Sequence, residues 1–166
     1  MFVEMKVAGI VLDPYTNVPI VVLRDLTEKV TVPIWIGLVE ASAIAMELEN
    51  IKIHRPLTHD LLKNILSELR VDVIKIEVTD LKDNTYFALI HLNAGEKMMA
   101  VDSRPSDAIA LALRTKSPIY VADKVIEKSK QVEAQGQDAN FTQENRDKWT
   151  EILENLNPED FGKYKM

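Results

Sequence analysis

The sequence predicts an α+β fold: a mixed, largely antiparallel sheet with packed helices. Three observations predict it. Short β-branched runs bounded by turn residues dominate the first third of the chain. Further along, apolar residues recur at helical spacing in segments flanked by strand-like runs. The chain also matches itself at an offset of 65 residues, with Ala43 to Leu48 falling over Ala108 to Leu113. Val7 to Leu12 then lies over Asp72 to Glu77, and Val18 to Leu23 over Asp83 to Ala88. Each half would be three strands followed by a helix, an internal duplication with one extra helix inserted between the halves. Ala/Leu-rich helices also match one another without common origin, so that alternative stays open.

The elements follow in order. Phe2 to Leu12 mixes apolar and polar positions as a strand does, and Asp13-Pro14-Tyr15-Thr16-Asn17 makes a turn. Val18 to Leu23 is a second strand and Val30 to Ile36 a third, joined by a polar connection. Gly37 permits a tight turn into a helix on which Leu38, Ala41, Ala45 and Leu48 recur. Asn50 to Pro56 breaks the pattern. Thr58 reads as the N-cap of a helix made amphipathic by Leu61, Leu62, Ile65, Leu66 and Leu69. Val71 to Thr79 alternates as a strand, and Lys82-Asp83-Asn84 is a turn. Thr85 to Leu92 and Lys97 to Val101 make a hairpin around Asn93-Ala94-Gly95-Glu96. Pro105 to Thr115 is a helix, Pro118 to Val121 a short strand, and another helix starts at Asp123. Residues 1–128 thus read as the domain. Residues 129–166 read as a polar mobile linker, a short helix over 142–156 and a tail.

Composition narrows the function. The chain has 166 residues, enough for one core. It has no cysteine, which excludes disulfides, thiolate metal sites and a cysteine nucleophile. No apolar run approaches the ~20 residues that span a bilayer, and the start lacks a basic-then-apolar leader, so a cytoplasmic protein is expected. The net charge of −6 is spread along the chain and gives no basic stripe, which weighs against a general nucleic-acid binder. It leaves room for a metal-dependent enzyme, whose ion supplies the positive charge facing phosphate. No nucleotide-binding glycine loop, HExxH, nucleophile elbow or EF-hand loop occurs, and no organic cofactor is expected. The apolar strands give more β surface than a few short helices cover, so a homodimer is expected.

Two segments share a design. Arg55-Pro56-Leu57-Thr58-His59-Asp60 and Asp102-Ser103-Arg104-Pro105-Ser106-Asp107 each place an Arg-Pro pair before a hydroxyl residue and an aspartate at a helix start. Free N–H groups and the helix dipole draw anions there, and Arg55 or Arg104 could grip phosphate. The plain reading is equally physical: Thr58, Ser103 or Ser106 as N-caps, Asp60 and Asp107 as dipole partners, and the arginines paired to nearby acids. His59 beside Asp60 offers a general base or a metal ligand. Glu40 falls in the first turn of its helix, and Asp102 ends a strand before one.

Three strings together identify the chain as similar to the bifunctional nuclease domain family. They are Val32-Pro33-Ile34-Trp35-Ile36-Gly37 with Glu40-Ala41, Arg55 to Leu62, and Asp102 to Ala112. The resemblance implies an α+β fold and hydrolysis of DNA and RNA. The chemistry then expected has Glu40, Asp102 and Asp107 holding Mg²⁺ or Mn²⁺ and His59 with Asp60 activating water. Arg55 and Arg104 would bind phosphate. The competing reading is a non-catalytic module that uses the same residues as a structural network, or binds an anionic ligand or protein partner.

Overall fold

The computed structural model describes residues 1–133. The helix expected over 142–156 and the tail lie outside the described residues. The elements in chain order are β1 (Phe2–Leu12), β2 (Pro19–Asp25), β3 (Thr31–Trp35), α1 (Leu38–Leu48), α2 (Thr58–Glu68) and β4 (Asp72–Lys82), then β5 (Thr85–Ala94), β6 (Lys97–Ser103), α3 (Pro105–Thr115), β7 (Ile119–Ala122) and α4 (Asp123–Glu133).

The strands form one seven-stranded sheet in the order β3-β2-β1-β7-β4-β5-β6. Every pairing is antiparallel except β4 with β7. The short central β7 therefore has one antiparallel meander on each side, and each meander leads into a helix. This is the twofold β-β-β-α arrangement that the self-match implies, with α2 as the insertion. At the offset of 65, Ile44, Ala45 and Met46 correspond to Ile109, Ala110 and Leu111, and all six are buried.

The sheet is curled. The Tyr86 hydroxyl donates to the Pro33 carbonyl at 2.7 Å, joining β5 to β3. Four strands lie between these two in the sheet, so a flat sheet would hold them roughly 24 Å apart at about 4.8 Å per strand. Right-handed twist and curl bring its ends together. A single apolar cluster fills the inside, including Ile44 of α1, Ile76 of β4, Ile109 of α3, Val121 of β7 and Val125 of α4, none of them exposed. The alternate residues Val11, Ile20 and Val22 form a smaller cluster on the opposite face with Ala8 and Trp35.

Local chemistry sets the ends. Asp83 and Asn84 adopt φ of 48° and 58°, the conformation of a two-residue type I′ hairpin loop. A register shift between Val78 and Asp80 lets β4 run past Thr79 to Lys82. The N-cap of α2 is Leu57, with Thr58 already inside the helix, so Thr58 is not the cap. The N-cap of α3 is Arg104, not a serine, because Pro105 disfavours helical backbone in the residue before it. α4 continues through buried Ser129 to Glu133, past the point where the polar linker was expected to begin. Among the described residues no helix is long and apolar enough to cross a membrane.

Stability should follow this burial. Ile109→Ala is expected to cost about 2–5 kcal/mol by urea denaturation. Met98→Ala, on the exposed edge strand β6, should change stability by no more than about 0.5 kcal/mol.

Candidate functional site

α1, α2 and α3 each carry an acid at their third helical position: Glu40, Asp60 and Asp107. An acid there is favoured by the unpaired N–H groups and the dipole of the helix start. The fold then gives each acid a cationic partner from elsewhere in the sequence.

Arg104 joins two of them. Its Nε donates to Asp107 Oδ2 at 2.8 Å and its Nη1 to Glu40 Oε1 at 3.0 Å. One guanidinium thus bridges the starts of α1 and α3, while the Arg104 side chain stays 65% exposed. On its other oxygen Asp107 meets His59: Nε2 lies 2.9 Å from Asp107 Oδ1, and the imidazole is largely buried. A carboxylate can only accept, so Nε2 carries the hydrogen of this bond, and in the neutral form of the ring Nδ1 keeps its lone pair. Burial pushes the Asp107 carboxyl up, but Arg104 and His59 outweigh it and hold the group below the ordinary aspartate range. Asp107 and Glu40 in turn strengthen the protonation of Arg104.

Gly37 has an ordinary φ of −73°, so backbone freedom is not its use. A Cβ at this position would collide with the Glu40 carboxylate, which lies across it. Glycine leaves open the space in which Glu40 folds back toward Arg104. The resulting cleft of about 260 Å³ is lined by Ile34, Gly37, Glu40, Tyr86 and Arg104.

Asp60 belongs to a separate cluster. Its Oδ2 accepts from the Leu57 N–H at 2.9 Å, and its Oδ1 accepts from Arg114 Nε at 2.7 Å. Arg114 is the residue that sequence reasoning missed. Its side chain is 4% exposed, and it also donates to Ala110 O at 2.8 Å and Ala43 O at 3.0 Å. The signal was present: a lone arginine inside an Ala/Leu helix must be buried with partners or break the apolar face. Burial raises the Asp60 carboxyl, but the Leu57 N–H and Arg114 together lower it below its usual value.

The expected site residues are thus divided. Glu40, His59, Arg104 and Asp107 form one network. Asp60 points to Arg114, and Arg55 lines a second cleft with it. Asp102 joins neither. It pairs with Leu89 across β5 and β6, between Ala88 and Ile90, whose side chains enter the core. Asp102 therefore lies on the face opposite the helices. Among the described residues no three His, Asp or Glu side chains gather as a metal ion requires. Between Glu40 and Asp107 the position facing both carboxylates is taken by the Arg104 guanidinium. The donor set of Glu40, Asp102 and Asp107 does not fit one divalent ion.

Comparison with known proteins identifies relatives of the chain. A family model described as the bifunctional nuclease domain matches residues 21–134. An uncharacterized protein of Mycobacterium tuberculosis is 33% identical over 162 residues, covering 95% of this chain and 97% of that protein. Bifunctional nuclease 2 of Arabidopsis thaliana is 36% identical over 77 residues, 45% of this chain and 23% of the plant protein. Bifunctional nuclease 1 of Oryza sativa subsp. indica is 30% identical over 81 residues, 47% of this chain and 24% of that protein.

The Arg114 cluster can be tested by stability. Asp60→Ala leaves a buried guanidinium without its carboxylate and should cost about 1–3 kcal/mol. Arg114→Met replaces the charge by an apolar side chain of similar length and should cost less than Asp60→Ala. Because the folded carboxyl titrates below its ordinary value of about 3.9, its contribution is complete above that pH and is lost as pH falls through the folded value. Urea midpoints at pH 7 and pH 3 should therefore differ less in Asp60→Asn than in the unaltered protein.

Proposed function

This chain belongs to the bifunctional nuclease domain family, and from that membership we propose that it hydrolyses phosphodiester bonds of DNA and RNA at the Glu40–Arg104–Asp107–His59 network. One observation carries the proposal: a histidine oriented by an aspartate stands beside an exposed arginine that the same aspartate holds. In this reading His59 Nδ1 takes a proton from water as the water oxygen bonds to phosphorus. The bond to the leaving oxygen breaks, that oxygen takes a proton from solvent, and His59 gives its proton back to solvent. Arg104 has three N–H groups beyond those given to Glu40 and Asp107, and they meet the charge that develops on the phosphoryl oxygens. Asp107 fixes the imidazole as it fixes the guanidinium. Glu40 acts as a positioning residue for Arg104. No step is assigned to a metal, because the carboxylates that would hold it are turned to Arg104 or lie on the other face of the sheet.

A second reading has its own support. Arg104 is compensated by two acids, as in a structural network, and a protein using it so would bind without cutting. The assay separates the two. Purified protein is incubated with labelled single-stranded DNA and RNA, with and without Mg²⁺ or Mn²⁺. His59→Ala and Asp107→Asn are expected to lower kcat by about 10²–10⁴-fold. Arg104→Ala should lower it by about 10²–10³-fold. Equal cutting by the unaltered protein and His59→Ala would identify a contaminant and leave the binding reading.

The homodimer is part of the same proposal. Leu61, Ile65 and Leu69 are 52%, 46% and 67% exposed along α2 and its C-cap. Their spacing is symmetrical about Ile65, so a twofold axis there would set Leu61 of one copy against Leu69 of the other. Light scattering should report a dimer that Ile65→Glu disrupts. A monomer at micromolar concentration would sink the proposal.

A further inference from the structure

The reactive network is poorly charged for its substrate. Two carboxylates face one guanidinium, so with a neutral His59 the cluster carries excess negative charge. A polyanion approaching it needs attraction from nearby.

That attraction lies on the other side of the first turn of α2. A cleft of about 390 Å³ opens between the end of α1, the loop over 49–57 and α2. Its lining includes Lys52, His54, Arg55, Asn64 and Arg114, against the two acids Glu47 and Asp60. Lys52, His54 and Arg55 are exposed. Among the described residues none of the three has a hydrogen bond or ion pair. Arg104 gives two of its N–H groups to acids, whereas these three keep all of theirs. Asp60 lines this cleft, and the preceding residue, His59, enters the reactive network. Consecutive helical residues point about 100° apart, so one turn of α2 borders both places.

We infer that this cleft is a phosphate subsite: Lys52 and Arg55, with His54, grip the backbone of a nucleic-acid strand next to the phosphate presented to His59 and Arg104. The inference rests on the nuclease reading for the identity of the anion. Arg114 and Asp60 form the floor and hold α2 in place between subsite and network. Asn64 adds an amide that can donate to phosphate or base.

The test is binding of a labelled single-stranded oligodeoxynucleotide, followed by fluorescence anisotropy across a salt series. The double variant Lys52→Ala/Arg55→Ala should bind more weakly. Its log K against log salt slope should be shallower by about 1.4, or 0.7 for each lost phosphate contact on a single strand. Lys29→Ala/Lys97→Ala removes the same charge from exposed positions outside the cleft and should keep both affinity and slope. In the cutting assay the Lys52/Arg55 variant should raise KM and leave kcat within a few fold. Equal loss in both double variants, or none in either, overturns the subsite. Binding that depends on Lys52 and Arg55 without any cutting keeps the subsite and removes the nuclease reading. Cutting with an unaltered KM in the Lys52/Arg55 variant does the reverse.

Discussion

Arg114 is the side chain on which the helical layer depends. It sits in α3, and its guanidinium reaches Ala43 O of α1 and Asp60 of α2 as well as Ala110 O of its own helix. α2 has no fully buried residue, so apolar packing alone holds it weakly. A charged group with 4% exposure would be costly without these acceptors, and its need for them fixes where α1 and α2 can lie. The position of His59 follows. It rides on α2, one residue from Asp60, and reaches Asp107 only while α2 is tied to α3.

The near-symmetry of the sheet explains why a site forms at this end. The meander on each side of β7 feeds a helix, and α1 and α3 pack side by side. Their starts therefore lie close together, each with an acid in the first turn. Two like charges converging there repel unless a cation is shared. Arg104 supplies it from the N-cap of α3, the position that Pro105 keeps extended. The halves are not equivalent, however. Glycine stands before α1 and arginine before α3, so the first half receives the bridge that the second half gives.

Much of this was legible in the sequence because periodicity and turn chemistry are local. The strands, the Asp83-Asn84 turn and the bounds of α3 follow from alternation, residues tolerant of positive φ, and proline. The site was legible only in part. The Arg-Pro segments point to the right helix starts, but His59 and Asp60 are neighbours in sequence and diverge in space by the helical rotation. Asp102 was misleading for a different reason. β6 is exposed on both faces, with Met98 and Val101 both outside the core, so no alternation tells which face Asp102 takes. The Arg104–Asp107 pair is local, but the bridge from Arg104 to Glu40 spans 64 residues, which no local pattern records.

The net charge of −6 argued against nucleic acid at the level of composition. The geometry weakens that argument. Screening limits exposed charges to about 8 Å at physiological salt, so a phosphate feels the side chains around it more than the molecular total. Near α2 the charges are sorted. The acids Glu40, Asp60 and Asp107 are paired with arginines, while Lys52 and Arg55 remain unpaired among the described residues and outnumber the one further acid of the cleft, Glu47. Pairing removes most of the acids' field from the surface and leaves that of the loop cations. An acidic protein can therefore present a locally cationic lip beside a network whose acids are largely, though not fully, compensated. The sign of the whole chain describes its solubility better than it describes this site.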